Sequence, residues 1–427
     1  MTTVTPSEAL PEPTILDRSD HIVSRRNIDS DAQKVLYRLE RAGFETYLVG
    51  GGVRDLLLRR RPKDYDVATS ARPEEVRRLF RNSRIIGRRF RLAHVYFRGS
   101  LVEVSTFRAA PDRSVQRGGP KELLVTNDNT YGTPREDAFR RDFTINALYY
   151  RVSDYAVVDY VGGLEDLGHK LIRVIGDPDI RFQEDPVRML RCCELAARLG
   201  FRIDPAAQQS IRRNRHELEK AAPPRIREEL FQVLHCGSAG AALQLMLELG
   251  LLELLFPEAL AMVEAEGAGL GSFDRVIPTI DRGRPGRLDD VVLLASILAP
   301  RVFAEVAARE GTSGRPLRAR DAVHAATSEF MKRLAVPNAR SLRATRALEV
   351  LLRLQEMPED PWERSQITRF AAFDDALRVL KLLTRATGQG ADLYQAWKAE
   401  SRNEDGGWPT GKRRRRRSRA RRQRRAG

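Results

Sequence analysis

Asp64 and Asp66 stand one residue apart in Lys63-Asp-Tyr-Asp-Val-Ala-Thr69, a run with strand character from Tyr65 to Ala68. Residues i and i+2 of a strand share a face, so the two carboxylates are expected to point the same way. Carboxylates at that spacing suit a hard divalent cation, and Mg²⁺ is typically held by one or two of them together with substrate phosphates. Upstream, Thr46-Tyr-Leu-Val-Gly-Gly-Gly-Val-Arg-Asp55 offers an apolar strand, a glycine turn and a helix start. Glycines at such a turn let backbone N–H groups approach phosphates closely. The pair of stretches points to a metal-dependent, nucleotide-handling site between Gly50 and Asp66. Two other phosphate turns fail on their own requirements. A G-x-G-x-x-G fingerprint would need glycine where Asp55 stands, and the Lys-Ser/Thr of a P-loop is absent.

The elements that must position these residues can be read from the periodicity. Residues 1–20 are Pro-rich and acidic and are expected to be disordered. Asp29 or Ser30 can cap a helix carrying Val35, Leu36, Leu39 and Ala42 on one face and stopping at Gly43. A helix is predicted over Pro73–Phe80, with Ser70 as a cap, and strands over Arg84–Phe97 and Leu101–Phe107. The stretch Arg108–Ala138 has no periodicity. A helix is predicted over Phe139–Leu148, a strand over Tyr155–Asp159, and a turn at Val161-Gly-Gly-Leu-Glu-Asp166. Beyond Asp177 the pattern is helical, including Pro186–Leu199, Pro205–His216, Pro224–Leu234, Ala239–Leu255, Val291–Leu298 and Ser341–Leu354. Helix alternating with strand, followed by helix alone, predicts a small mixed α/β head and an α-helical body.

Composition narrows the partners. Of the net charge of +16, eleven positive charges lie in Lys412–Arg425, leaving a mildly basic body and an intensely basic end, as expected of a polyanion-binding protein. Cys192 and Cys193 are adjacent and Cys236 is distant, which makes neither a disulfide framework nor a zinc site. The N-terminus lacks the basic and apolar regions of a secretory signal. The apolar stretch Ala239–Phe256 is interrupted by Gln244, Glu248 and Glu253, so a buried helix pair is expected and no membrane span. A cytoplasmic monomer is expected.

Taken together, GGGVRD and DYDVAT resemble the class II tRNA nucleotidyltransferase/bacterial poly(A) polymerase family, within the DNA polymerase beta-like superfamily. The resemblance continues through Arg140-Arg-Asp-Phe-Thr-Ile-Asn146, Val161–Asp166 and Glu184-Asp-Pro-Val-Arg-Met-Leu-Arg191, in the family's order and over about the first half of the chain. It implies an α+β fold: a mixed-sheet nucleotidyltransferase head over 21–175, a helical nucleotide-selecting and RNA-binding neck over 176–260, a helical body over 261–399 and a disordered basic tail over 400–427. It implies that an RNA 3′-OH attacks the α-phosphate of an NTP and pyrophosphate leaves. Asp64 and Asp66 become metal ligands for Mg²⁺ or Mn²⁺. Glu103 is implied as the third carboxylate, with Asp142 as its rival. By resemblance Asp142 orients the ribose 2′-OH, while Gly51, Gly52, Arg54, Arg140 and Arg141 serve the nucleotide and its triphosphate. Asp185 and Arg188, with Arg191 one turn on, read the base edge. An acceptor-only Asp and a donor-only Arg can discriminate bases by hydrogen-bond pattern. Asp185 before Pro186 also reads as an ordinary helix N-cap, and Arg-Arg-Asp as a first-turn salt-bridge cluster.

Ile85-Ile-Gly-Arg-Arg-Phe-Arg-Leu-Ala-His-Val95 resembles the segment that separates bacterial poly(A) polymerases from CCA-adding relatives, and Asp128–Asp137 points the same way. Arg88, Arg89 and Arg91 on it are expected to position the primer or the loop Ala109–Arg135. ATP as substrate and RNA 3′ ends as partners follow, with RNA-decay proteins as further partners and mRNA processing as the setting. Lys412, Arg413, Arg414, Arg415, Arg416 and Arg417 are expected either to tether RNA or only to keep the protein soluble. A CCA- or A-adding tRNA nucleotidyltransferase is the competing enzyme, and a non-catalytic RNA-binding protein the alternative from another class.

Overall fold

The computed structural model describes residues 12–87, 91–109, 130–257, 270–283, 288–313 and 318–405. The chain divides into two compact units, Met1–Ala221 and Ala222–Gly427.

The first unit is built on one sheet. Its strands are β1 (Thr14–Leu16), β2 (Thr46–Val49), β3 (Asp66–Thr69), β4 (Ser83–Ile86), β5 (Leu92–Tyr96), β6 (Leu101–Thr106), β7 (Leu148–Arg151) and β8 (Val157–Asp159). They lie in the order β1-β8-β7-β2-β3-β6-β5-β4, mixed because β3 and β6 run parallel while their neighbours run antiparallel. Strand alternation divides the burial between the two faces. Helix α1 (Ser30–Arg41) packs against β2, β3 and β6, burying Ala32, Val35, Leu36 and Leu39. Each of its three larger side chains contributes about 2 kcal/mol of transfer free energy. Tyr47, Val49, Ala68, Phe107 and Tyr149 form the core with Ala138 of α4 (Pro134–Phe139). Asp66, two residues from Ala68, therefore lies on the face opposite the one bearing Val67.

Asp29 caps α1, its Oδ1 accepting from Asp31 N at 2.8 Å. Ser70 caps nothing. Its hydroxyl instead accepts from Glu45 N at 3.0 Å, and the next helix, α3 (Pro73–Leu79), starts after Arg72, whose N–H donates to Glu75. Three other expectations need correction. Residues 14–16, expected to be disordered with the rest of 1–20, are an edge strand paired with β8, Thr14 opposite Asp159. The helix expected over Phe139–Leu148 is interrupted: α4 ends at Phe139, a 3₁₀ turn covers Thr144–Asn146, and β7 begins at Leu148. The charged groups between them bond back to α4 and onward to β7, Arg141 to Asp137 and to Tyr149, with Asp142 accepting from Phe143 N. Lastly, β3 begins at Asp66, so Asp64 precedes the strand instead of belonging to it, while its charge still acts on Asp66.

The first unit continues with α6 (Pro178–Glu184), α7 (Arg188–Leu199) and α8 (Pro205–Asn214). The second unit is helical from Pro223–His235 onward. The apolar stretch at 239–256 is a helix pair, Ala239–Glu248 and Leu252–Leu255, as its interrupting polar residues suggested. Asp290–Ser313 contains a window, Asp290–Arg309, long and apolar enough to cross a membrane, with a mean hydropathy of 1.9. Val291, Val292, Leu293, Leu294, Ala295 and Leu298 of it are nonetheless buried, as in a core helix. The last described helix, Ala391–Asp405, runs six residues into the segment expected to be disordered from 400. The rest of the tail, 406–427, and residues 1–11 and 110–129 lie outside the described residues.

Candidate active site

The acidic row comes from sheet register. Asp66 on β3 is paired with Glu103 on β6, and Glu103 with His94 on β5. His94 Nε2 lies 3.2 Å from Glu103 Oε1, whose side chain is 49 % exposed. Burial first, then repulsion from Glu103 and from Asp64, pushes the Asp66 carboxyl up to about 6, with Arg141 pulling the other way. Mutual repulsion of carboxylates in a desolvated position is relieved by a cation, so the chemistry of this row fits a divalent metal. Among the described residues no trio of His, Cys, Asp or Glu is clustered closely enough to cage an ion by itself. Asp66, Asp64 and Glu103 are the donors present.

The glycine turn lies beside that row. Gly50 has φ +72° and ψ −141°, a conformation open essentially to glycine alone. A Cβ on Gly50 would stand 3.3 Å from Arg141 Nη1 and 3.9 Å from Asp66 Oδ2, so phosphate turn, acid and arginine converge there. Helix α2 (Gly51–Leu57) begins at once, and a Cβ on Gly52 would stand 3.4 Å from Asp64 O. Arg54 is buried and turned away from open solvent. Its Nε and Nη2 donate to Asp55 Oδ1 at 2.8 and 2.7 Å, and its Nη1 donates to Asn146 Oδ1.

Around Arg140-Arg-Asp142 the side chains form a connected network. Arg141 donates to Asp137 Oδ2 (2.9 Å) and to the Tyr149 hydroxyl (2.9 Å), which itself donates to Asp137 at 2.7 Å. Asp142 Oδ1 accepts from Phe143 N at 2.8 Å and from Asn146 Nδ2 at 3.3 Å, while Oδ2 lies 2.8 Å from Arg191 Nη2. Burial raises the Asp142 carboxyl, but Arg191 and Arg188 outweigh it and hold the group below its ordinary range. It therefore stays ionised and able to accept from a hydroxyl. Burial and the guanidinium groups of Arg108, Arg141, Arg181 and Arg188 bring Arg140 down to about 9. Cations packed closely enough to depress an arginine are stabilised by a bound polyanion, to which the guanidinium fork bonds well.

Val161–Asp166 supports this network from behind. Asp159 accepts from Val161 N (3.0 Å) and Leu164 N (2.8 Å), closing the turn at Gly162, whose φ is +81°. A Cβ on Gly163 would stand 2.2 Å from Thr144 O, and Thr144 Oγ1 donates to Asp166 Oδ2 at 2.7 Å. This motif thus holds the Thr144–Asn146 turn beside Asp142.

Asp185 is buried where α6 ends and before α7 begins. It is the C-cap of α6; α7 starts at Arg188 with Val187 at its N-cap, so the N-cap reading of Asp185 gives way to that of a junction residue. Arg188 Nη1 donates to Arg181 O at 2.9 Å and lies 3.5 Å from Glu184 Oε2. Arg181 in turn donates to the carbonyls of Arg140 and Arg141. The structure thus brings Asp142, Arg140, Arg141, Arg188 and Arg191 together, and Asp66 with Glu103. The Arg91 side chain donates to Glu74 of α3, and its carbonyl accepts from Arg108 Nη2 at 3.0 Å. Arg88, Arg89 and Lys412–Arg417 lie outside the described residues. Cys192 and Cys193 are fully buried, with burial raising both thiols, Cys193 to about 12. Such thiols are unreactive.

Sequence reasoning missed Asp137, Asn146, Tyr149 and Arg181. Asp137 was visible as the i−4 partner of Arg141 once α4 is granted. The others become partners only through tertiary contact.

Comparison with known proteins agrees with this geometry. Residues 46–173 match the model of the poly A polymerase head domain, and residues 200–262 that of the probable RNA and SrmB-binding site of polymerase A. The chain is 49 % identical over 254 residues to poly(A) polymerase I of Escherichia coli O157:H7, covering 58 % of this chain and 54 % of that protein. It is 46 % identical over 285 residues to poly(A) polymerase I of Salmonella typhi, covering 66 % and 61 %. The match to the CCA-adding enzyme of Lactobacillus helveticus is 42 % over 202 residues, 47 % of this chain and 49 % of that one. The chain thus spans about half the length of the curated relatives it matches. Among solved structures, the Bacillus stearothermophilus CCA-adding enzyme in complex with CTP superposes with a TM-score of 0.60 at 25 % identity, covering 87 % of this chain and 82 % of that one. The two matched stretches, residues 46–173 and 200–262, are thus similar to the head domain and to the probable RNA and SrmB-binding site of poly(A) polymerases.

Proposed function

We propose that the protein is a template-independent poly(A) polymerase that transfers AMP from ATP to RNA 3′ ends and releases pyrophosphate. The observation that carries the reaction type is the acidic row of Asp66 and Glu103 standing beside Gly50 and Arg141. Asp64, Asp66 and Glu103 would hold the divalent metal, Mg²⁺ in preference to Mn²⁺. When bound, such an ion lowers the pKa of the attacking hydroxyl and neutralises charge on the leaving group. Gly51, Gly52, Arg140 and Arg141 receive the triphosphate, whose negative charge offsets the repulsion felt by Arg140. Arg54, turned onto Asp55 and Asn146, braces the turn. Asp142 accepts the ribose 2′-OH. Asp185 and Arg188 present an acceptor and a donor to the base. Residues 200–262 are the expected place for RNA and for a decay-protein partner, given the family model they match.

The choice of product rests on the relatives, which are named poly(A) polymerase I at 44–49 % identity and CCA-adding enzyme at 34–42 %. A CCA-adding enzyme is the second reading, favoured by the superposition on that enzyme over most of the chain. The deciding experiment offers ATP and CTP separately to a generic RNA and to a tRNA lacking its 3′ end. Long A-tails on both are expected. C incorporation that stops on the tRNA alone would reverse the assignment.

Two further outcomes follow. Asp142→Asn is expected to reduce the preference for ATP over dATP by about tenfold, because an amide accepts less well than a carboxylate (about 1.4 kcal/mol); an unchanged ratio of kcat/KM values removes the sugar-sensing role. Deletion of 412–427 should weaken RNA binding, most visibly at low salt, and make its salt dependence shallower, since basic contacts to phosphate give salt-sensitive, sequence-independent affinity. Turnover on a short primer should be nearly unchanged. Equal RNA affinity with and without the segment leaves it a solubility tail.

A further inference from the structure

Helices Phe373–Thr387 and Ala391–Asp405 form a hairpin joined through Gly388 and Gly390, both with positive φ (+75° and +74°). A groove of about 290 Å³ runs along it, lined by Lys381, Thr384, Arg385, Tyr394, Gln395 and Lys398, with Ala391 at its edge. The first three stand at i, i+3 and i+4 of one helix and the next three at i, i+1 and i+4 of the other, so each set shares a helix face. Three cations and no carboxylate line the groove. Among the described residues none of the three has an ion-pair partner, and Lys398 Nζ stands 5.8 Å from the Tyr394 ring centroid. Some other cations of this unit are neutralised, Arg343 by Asp375 at 2.6 Å, Arg340 by Asp290 at 3.0 Å and Arg364 by Glu400 at 3.7 Å.

A larger concave surface on α1, about 630 Å³, has similar chemistry in Ser30, Gln33, Lys34, Tyr37, Arg38 and Arg41. There most of the groups are already engaged. Lys34 pairs with Asp31 at 2.6 Å, the Gln33 amide donates to the carbonyls of Arg25 and Ile28, the Tyr37 hydroxyl accepts from Arg25, and Arg38 covers the Phe80 ring. Of the α1 cations Lys34 is ion-paired, so the hairpin groove presents three cations without an ion pair where α1 presents two, Arg38 and Arg41.

We propose that the hairpin groove holds single-stranded RNA, its phosphates on Lys381, Arg385 and Lys398 and one unpaired base against Tyr394. Stacking on an aromatic ring within a basic groove accepts any base but requires that base to be unpaired. In sequence the second helix is followed by the basic run Lys412–Arg425. The site lies outside the residues 200–262 matched as RNA-binding. The inference rests on the RNA-extending function proposed above.

The test uses the full chain and a salt titration of binding to a single-stranded oligoadenylate. The triple variant Lys381→Ala, Arg385→Ala, Lys398→Ala is compared with Lys34→Ala, Arg38→Ala, Arg41→Ala, which removes the same charge from α1. Loss of three phosphate contacts should make the log–log salt dependence shallower by about 2, against little change in the control. Tyr394→Ala should lower affinity for the single strand about tenfold and leave duplex binding alone. Equal salt slopes in the two triple variants overturn the site. Equal losses on duplex and single strand, or displacement of the RNA by an acidic peptide at matched charge, overturn the single-strand assignment. Primer extension by the same variants separates the two claims. Normal AMP addition with an unchanged slope removes only the groove, whereas a shallower slope in a protein that adds no AMP removes only the enzymatic reading.

Discussion

Asp66→Asn is expected to reduce AMP incorporation by at least about a thousandfold, roughly 4 kcal/mol of transition-state stabilisation, and to make the metal-free protein more stable at neutral pH. Both effects arise from the same position. Asp66 is the half-buried member of the acidic row, pushed up to about 6 by burial and by Glu103 and Asp64. A carboxyl whose folded value lies above its ordinary value takes up a proton more readily when folded. Its contribution to stability is therefore unfavourable above about pH 6 and fades as pH falls toward 4. Removing the charge should raise stability by about 1–3 kcal/mol at pH 7, by little at pH 4.5, and by less once a divalent cation is added. Asp64→Ala should remove activity equally, with a smaller effect on stability because Asp64 precedes β3. Primer extension and denaturation in a chelator at two pH values check both halves. An active Asp66→Asn enzyme sinks the mechanism, and a variant less stable than its parent at pH 7 sinks the electrostatic account.

The second large effect lies at a residue that touches no substrate in the proposed mechanism. Gly163→Ala would place a Cβ 2.2 Å from Thr144 O and 2.8 Å from Thr144 C, backbone atoms that cannot rotate aside. Relief requires moving the Thr144–Asn146 turn or α5 (Gly163–Gly168), at a cost of about 3 kcal/mol or more. The same shift would disturb Asn146, which links Arg54 to Asp142, so KM for ATP should rise along with the loss of stability. Gly168→Ala is the control. A Cβ there meets nothing within 4 Å, and the substitution should be neutral or mildly stabilising, by about 0.5 kcal/mol. Similar urea midpoints for the two variants would show that the close approach to Thr144 is not what makes glycine necessary.

The residues of the candidate site were legible early because they form patterns at short range. The glycine turn, the two acids after it and the Arg-Arg-Asp run are local patterns, and the roles proposed for them rest on residue type. Element boundaries were legible where a local signal existed, as at the Asp29 cap and at the helix pair within 239–256. They failed where tertiary partners overrode periodicity. Phe139–Leu148 has helical spacing, yet Asp142 and Asn146 are drawn into bonds with Arg191 and Arg54 that a continuous helix could not supply. Thr14–Leu16 carries too little apolar surface to fold alone and becomes a strand because β8 offers a free edge.

What the sequence determined by itself was the inventory: two acids after a glycine turn, an α+β head leading into a helical body, and a basic end. Tertiary structure alone decided which groups meet. Glu103 stands beside Asp66, and His94 beside Glu103, only because β3 pairs parallel with β6 and β6 antiparallel with β5. Arg188 and Arg191 hold Asp142 ionised only because α7 folds back beside the Thr144–Asn146 turn. Spacing along the chain controls neighbours within one element, whereas electrostatic coupling falls off with distance in space and strengthens with burial. Charge partners that lie tens of residues apart are therefore invisible until the fold has brought them together.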